Sequence, residues 1–404
     1  MMYNFIARQP IFKKNLQIYG YEFLFRDGIK NAAPLIDGDI ATSRVLSTTF
    51  ITNDFYKYTE GRKAFINFTR NLIVNEIPLI FPNKAIVVEI LENVRADDEV
   101  IKACKNFVQK GYLIALDDFI YDPDLKPLID LADIIKIDFR QTSPETMKNY
   151  IGQLRKYKKI FLAEKVETYK EFRSALSLGF DYFQGYFFSK PEIIKERKLQ
   201  TSKINLLLVI CEINRKKFNL DQLEKFISHD VVLSYKLLRY VNSAYYRRIS
   251  EIKSVKQALI LLGEVEIKRF IAFMAMTKLS EGKPTELIKV SSIRAKFCEL
   301  LGSHMEMAEN IDELFTLGLF SLLDAIMDNS MENIMKRLPL SKSIKNALIL
   351  GKGPLKKIFS LAKFYEKGDW RNVKLLSGQM NINEDKLPDL YLKAVEWGNS
   401  LNSL

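Results

Sequence analysis

The chain predicts an α/β fold, a TIM-like (β/α) barrel with an open sheet as the alternative, followed by a separate all-helical domain. Three observations carry this. Through residue 190, short runs rich in Ile, Val, Phe or Tyr alternate with helical stretches, at 18–25, 64–68, 85–90, 112–117, 133–138, 159–163 and 180–183. Each is separated from the next by enough chain for a crossover helix, so the strands are expected to run parallel. No glycine-rich dinucleotide fingerprint is present to favour the open sheet. After Pro191 the strand pattern stops, and Leu, Ile, Lys and Glu recur at helical spacing, as in INLLLVICEINRKKF and SVKQALILLGEVEIKRFIAFMAM. The reading is therefore a barrel over 1–195 and a helical domain over 196–404, joined through a charged helical linker at 192–200. Gly263, Gly302, Gly318 and Gly351 are expected to cap helix ends.

The strand runs deliver polar residues at their C-terminal ends. In order these are Glu22 in YEFLFR, Asn67 in AFINFT, Glu89 in IVVEILE, Asp117 and Asp118 in IALDDF, and Glu164 in LAEKVET. A closed parallel sheet gathers such residues into one bowl at the barrel top. Carboxylates with an amide carbonyl form an all-oxygen donor set, which suits magnesium or manganese. Read singly, a strand-end Glu22 or Asp118 is a cap or a surface residue, and Lys136 beside Asp138 is an ion pair.

Composition narrows the classes. A chain of 404 residues with 48% hydrophobic and 27% charged residues is a folded composition with room for two domains. The start, MMYNFIARQPIFKK, lacks a signal-peptide core, and no stretch reaches the length of a membrane span. Cys104, Cys211 and Cys298 lie far apart without metal or redox spacing, so three buried thiols in a reducing cytoplasm are expected. The net charge of +12 is spread along the chain; it suits an anionic ligand better than a nucleic-acid polymer.

Eight motifs in order, RQPIF (8–12), YEFLFR (21–26), INFT (66–69), EILE (89–92), DDF (117–119), IIKID (134–138), AEKVET (163–168) and QGYFFSKP (184–191), resemble the EAL family of cyclic di-GMP phosphodiesterases. The resemblance implies a barrel that hydrolyses cyclic di-GMP to linear pGpG with Mg²⁺ or Mn²⁺. It implies that Glu22, Asn67, Glu89 and Asp117 hold one metal, with Asp117 and Asp118 reaching a second. Lys136 would orient or activate the attacking water, and Glu164 and Gln184 would complete the metal and water shell. Gln9, Arg26 and Asp138 would face the substrate, Arg26 pairing with a phosphate through its forked donors.

Two departures stand out. The name motif reads Glu22-Phe23-Leu24, and the family's glycine-containing loop after the paired acids reads Phe119-Ile120-Tyr121-Asp122-Pro123. A β-branched Ile cannot cheaply adopt backbone that glycine allows. By resemblance, Glu167 would tether this loop.

Residues 200–280, with Asp230, the run Leu233 to Ala244 and the helix from Ser254 to Gly263, resemble the HDOD domain, an interaction or output module. His229-Asp230 could be taken for a catalytic dyad, but the chain has only two histidines, too few for the metal cluster of an HD enzyme. The order EAL then HDOD resembles a signalling protein with a protein partner at its helical domain, and leaves a homodimer open. Two functions stand: a phosphodiesterase, supported by the intact acidic set, and an inactive cyclic di-GMP receptor or interaction module, supported by the rebuilt loop.

Overall fold

The computed structural model describes residues 5–26, 59–190, 203–204, 206–208, 210–211, 224, 227–246, 251–305 and 311–402. The expected boundary at 195/196 and the linker at 192–200 lie outside these. By contacts the chain divides into two compact units. One comprises residues 1–190 with 364–375 and 383–388, and the other 191–363, 376–382 and 389–404.

Eight strands close the first unit into a barrel in sequence order. They are β1 (Phe5–Lys13), β2 (Ile18–Arg26), β3 (Lys63–Phe68), β4 (Ile86–Ile90), β5 (Leu113–Leu116), β6 (Ile134–Asp138), β7 (Ile160–Glu164) and β8 (Tyr182–Gln184). The seven expected strands are present; β1 was not among them. It corrects the all-parallel expectation, because β1 runs antiparallel to both β2 and β8, while β2 through β8 pair in parallel. The physical reason is the connection: β1 and β2 are separated by a tight turn at 14–17, where Leu16 takes φ 62°. A turn that short joins only antiparallel neighbours.

Helices cover the outside where the sequence places amphipathic stretches. Those described are α1 (Arg70–Val74), α2 (Asp98–Gln109), α3 (Lys126–Leu131), α4 (Pro144–Leu154) and α5 (Tyr169–Leu178). Their ends are set locally. Asp97 caps α2 through the amides of Glu99 and Val100, and Thr168 with Glu171 forms a capping box at α5.

Every described element of the second unit is a helix, with α6 (Val231–Val241), α7 (Val255–Leu279), α8 (Thr285–His304) and α9 (Ile311–Phe320) among them. Of the four expected glycine caps, Gly351 is one, at φ 59°, and Gly263 interrupts α7 with φ 73° and ψ 168°. Gly302 and Gly318 are not caps. Both sit inside helices, and a Cβ on Gly302 would run into Leu314 while one on Gly318 would fall 2.5 Å from the Cα of Ala295. They are small because α8 and α9 approach closely there.

Candidate active site

Side chains along a strand alternate between the barrel interior and the helix layer, and this period builds the site in two tiers. The lower interior tier is apolar: Ile11, Phe65, Val87, Ala115, Ile134 and Leu162 pack as one fully buried cluster. Two residues onward, on the same faces, come Asn67, Glu89, Asp117, Lys136 and Glu164, with Gln184 two beyond Tyr182 and Glu22 two beyond Gly20. Because β1 is reversed, its residue at this level precedes the floor residue: Gln9, paired directly with Glu22. Thus residues scattered over 175 positions share one level, and the apolar floor beneath fixes their height.

Lys136 stands at the centre and is fully buried. Its Nζ lies 2.6 Å from Asp117 Oδ1, 2.8 Å from Glu164 Oε1 and 3.7 Å from Glu22 Oε2, and it pairs with Glu89 Oε1. Burial alone would pull the ammonium down, but the carboxylates of Glu164, Glu22, Glu89 and Asp117 together hold it well above its ordinary value. Burial pushes the Glu89 carboxyl well up against the opposing pull of Lys136. It pushes Glu164 up to about 8 in the same way. Among the described residues, one ammonium faces four acidic groups, too little positive charge to hold all four ionised against burial.

The amides close the ring. Gln184 donates through Nε2 to Glu22 Oε2 and, at 3.1 Å, to Gln9 Oε1, while Asn67 Nδ2 donates to Glu22 Oε1 at 3.4 Å. Asn67 Oδ1, Glu89 Oε2 and Gln184 Oε1 are buried and receive no hydrogen bond among the described residues. Such orphaned acceptors are costly. In this arrangement no three acidic, histidine or cysteine groups among the described residues already enclose a cation position, since the Lys136 ammonium holds the centre. The donors nevertheless fit a hard divalent cation: they are all oxygens, they are short of positive charge, and three of them lack a partner.

Above the ring, Asp118 takes φ 38° and Lys165 φ 55°, left-handed conformations that non-glycine residues keep only where the surroundings enforce them. Lys165 Nζ joins Asp118 Oδ1 at 3.1 Å to Asp138 Oδ2 at 2.6 Å. Asp138 Oδ1 also accepts from the amides of Arg140 and Gln141, so Asp138 is engaged with Lys165 and not with Lys136. The sequence reading gave Lys165 no role, and no spacing signal marks it. Arg26 lies on β2 opposite Phe5; its side chain is outside the described residues.

The 119–123 loop is anchored from its own side. The Phe119 amide donates to the Lys136 carbonyl at 2.9 Å, the Phe119 ring meets Tyr150 edge-on at 5.9 Å, and Asp122 caps the short turn Pro123–Leu125. Glu167 takes a different part from the expected tether: its carboxylate pairs with Arg140 at 3.2 Å and Lys190 at 3.0 Å.

The ring opens into a cavity of about 570 Å³ lined by Gln9, Glu22, Asn67, Asp117, Asp118, Glu164 and Gln184 with others. All eleven expected site residues except Arg26 are thus placed. A second cavity of about 870 Å³, lined by Asp117, Asp118, Asp138 and the 119–123 loop, adjoins them.

In the helical unit, Asp230 Oδ1 accepts from the Leu233 amide at 2.9 Å. It is the N-cap of α6, which gives Asp230 a structural part.

The EAL domain family model matches residues 61–191, and the HDOD domain model matches 205–338. Along its whole length the chain is 36% identical to cyclic di-GMP phosphodiesterase CdgJ of Vibrio cholerae serotype O1, covering 100% of this chain and 94% of that protein. This chain belongs to the EAL–HDOD family. The uncharacterized protein YuxH of Bacillus subtilis strain 168 is likewise 36% identical, with 98% of each chain covered. The solved structure of the Bacillus subtilis YkuI protein, with an EAL domain and in complex with substrate c-di-GMP and calcium, shares 21% identity. It covers 65% of this chain and 73% of that one at a TM-score of 0.38. The family assignment rests on the two domain models and the full-length relatives. The EAL model begins at 61, yet the barrel of this EAL–HDOD protein is closed by β1 and β2, which bring Gln9 and Glu22 into the ring.

Proposed function

We propose that this EAL–HDOD protein is a cyclic di-GMP phosphodiesterase that opens its substrate to linear pGpG with Mg²⁺ or Mn²⁺. The observation that carries the reading is the ring itself: Glu22, Glu89, Asp117 and Glu164 gathered around one buried ammonium, with three unpartnered oxygens beside them. The likeness to CdgJ, whose name states that activity, supports it.

In this reading Glu22, Asn67, Glu89 and Asp117 hold the principal cation, and Asp117 with Asp118 reaches a second. Bound there, divalent cations would neutralise the phosphate and lower the pKa of a water. The remaining residues position water and substrate. Lys136 is a fixed positive charge at the ring's centre and orients the attacking water. Glu164, which pairs with Lys136 at 2.8 Å, would complete the metal and water shell. Gln184 keeps Glu22 aligned through its amide, and Gln9, Arg26 and Asp138 face the substrate. The helical domain serves as the regulatory or interaction module; a protein partner there and a second copy of the chain are the partners this reading carries. Three free, buried cysteines among the described residues accord with a cytoplasmic location, and no helix there is long and apolar enough to cross a membrane.

The 119–123 loop favours a second reading, a receptor that binds the dinucleotide without cleaving it, because Ile120 stands there in place of the family's glycine. Glu22→Ala separates the two. Loss of even an outer-shell partner of a metal site costs about 10–100-fold, so the enzyme reading expects pGpG formation to fall by more than about 100-fold with the barrel still folded. An unchanged rate would remove the site as drawn.

A further inference from the structure

The cavity above the carboxylate ring has a wall that does not come from the barrel strands. Lys367, Gly368 and Trp370 line it together with Glu22, Leu24 and Tyr186, and all of them belong to the barrel's compact unit. They form the turn between the helices Lys356–Glu366 and Trp370–Gln379. The turn is fitted to its place. Gly368 takes φ 67°, and a Cβ there would meet Leu24 Cδ1 at 2.8 Å. Tyr186 Oη donates to the Glu366 carbonyl at 3.3 Å, the Lys367 ammonium lies 4.9 Å over the Tyr186 ring, and Trp370 packs edge-on against Tyr365 at 5.3 Å.

The charge balance of the wall says what this turn is for. The cavity's acidic lining is Glu22, Asp117, Asp118, Glu164 and Glu167, and its cations among the described residues are Lys165 and Lys367. Lys165 is already held by Asp118 and Asp138. Lys367 is exposed and lies over the Tyr186 ring, and it shares Glu167 with Lys190 and Arg140, which pair with that carboxylate directly. A cyclic dinucleotide carries two phosphates and two purine faces, and the ring can engage one phosphate. The other needs a cation outside the ring, and a purine needs a flat apolar surface.

We propose that the 367–370 turn is a dinucleotide-binding element of this site: Lys367 pairs with the phosphate that is not cleaved, and Trp370 offers its face to a guanine. This rests on the reading of the site given above. The turn comes from the far end of the chain, so the C-terminal region contributes directly to substrate recognition by the barrel.

Steady-state kinetics of the full-length protein test it, with Lys367→Ala and Lys367→Arg compared on cyclic di-GMP and on bis(p-nitrophenyl) phosphate, a diester with one phosphate and no purine. Lys367→Ala is expected to raise KM for cyclic di-GMP about 10-fold, the size of one charge-assisted contact, with kcat within about 2-fold. Lys367→Arg should restore most of the affinity, and turnover of the small diester should be unaffected. An unchanged KM overturns the proposal, as does an equal loss on both substrates, which would make Lys367 a prop of the fold. If the wild type binds cyclic di-GMP without cleaving it, calorimetric Kd replaces KM with the same expected ratio. If the wild type neither binds nor cleaves it, the functional reading falls and this proposal with it; wild-type activity with an indifferent Lys367→Ala sinks this proposal alone.

Discussion

Replacing Lys136 by Met removes the only cation at the centre of the ring among the described residues and leaves a side chain of similar length on the same apolar floor. Lys136 is 0% exposed, as is Glu89, and Glu22 and Glu164 are nearly so. Breaking a buried ion pair from one side costs about 3–5 kcal/mol, because the remaining charge is stranded. A domain of this size loses about 2–4 °C of melting temperature per kcal/mol, so the barrel transition should drop by about 6–20 °C. The loss depends on pH in a definite sense. Lys136 is the group that holds Glu89 and Glu164 down against burial, so in the variant both carboxyls titrate higher still. A carboxyl whose folded pKa is raised gives up stability as pH rises through that value, and the gap between variant and wild type should widen from pH 6 to pH 9. The assay is differential scanning calorimetry in EDTA, with the barrel transition recognised by its response to Mn²⁺. Added Mn²⁺ should raise the variant's transition more than the wild type's, since a divalent cation can take the ammonium's place. A variant melting within about 1 °C of wild type in EDTA, with no pH trend, would refute the charge balance described for the ring.

Two further outcomes are expected. Asp138→Asn removes the bond to Lys165 and should cost about 1–3 kcal/mol at neutral pH. Burial pushes the Asp138 carboxyl up, but the bond from Lys165 and the amides of Gln141 and Arg140 outweigh it and hold it below its usual range. Its contribution is therefore present above about pH 4 and lost as pH falls through the lowered value. Urea midpoints at pH 7 and pH 3 should show the variant's deficit closing at the lower pH, and a constant deficit would contradict the assignment. Asp230→Ala should lower the stability of the helical domain by about 1 kcal/mol, the worth of an N-cap, and leave metal binding unchanged by calorimetry. A lost metal site would make the residue more than a cap.

Much of the ring was readable from sequence because a strand repeats every two residues. IIKID places Ile134, Lys136 and Asp138 on one face, and AFINF does the same for Phe65 and Asn67; the apolar residue that sets the floor and the polar one that makes the ring are neighbours on that face. The reversed β1 was not readable in the same way. RQPIF contains a proline and a charge and lacks the β-branched density of the other runs, and its direction is set by the length of the turn after it. Gly302 and Gly318 are ambiguous in sequence for a related reason: a helix-end glycine and a glycine at a helix crossing look alike until the partner helix is known. Lys165 lies inside the AEKVET motif, but its position there assigns it no partner, since Asp118 and Asp138 reach it only through the fold. The 367–370 turn could not have been joined to Glu22 by any local signal, since packing alone brings segments more than 340 positions apart to one wall.

The most direct test of the central claim is to follow pGpG from cyclic di-GMP with the purified full-length protein while Mg²⁺ or Mn²⁺ is titrated from EDTA-treated zero. The account predicts no product without metal and saturable turnover with it. Tight binding of cyclic di-GMP with no pGpG at any metal concentration would contradict hydrolysis and leave the carboxylate ring as the floor of a receptor.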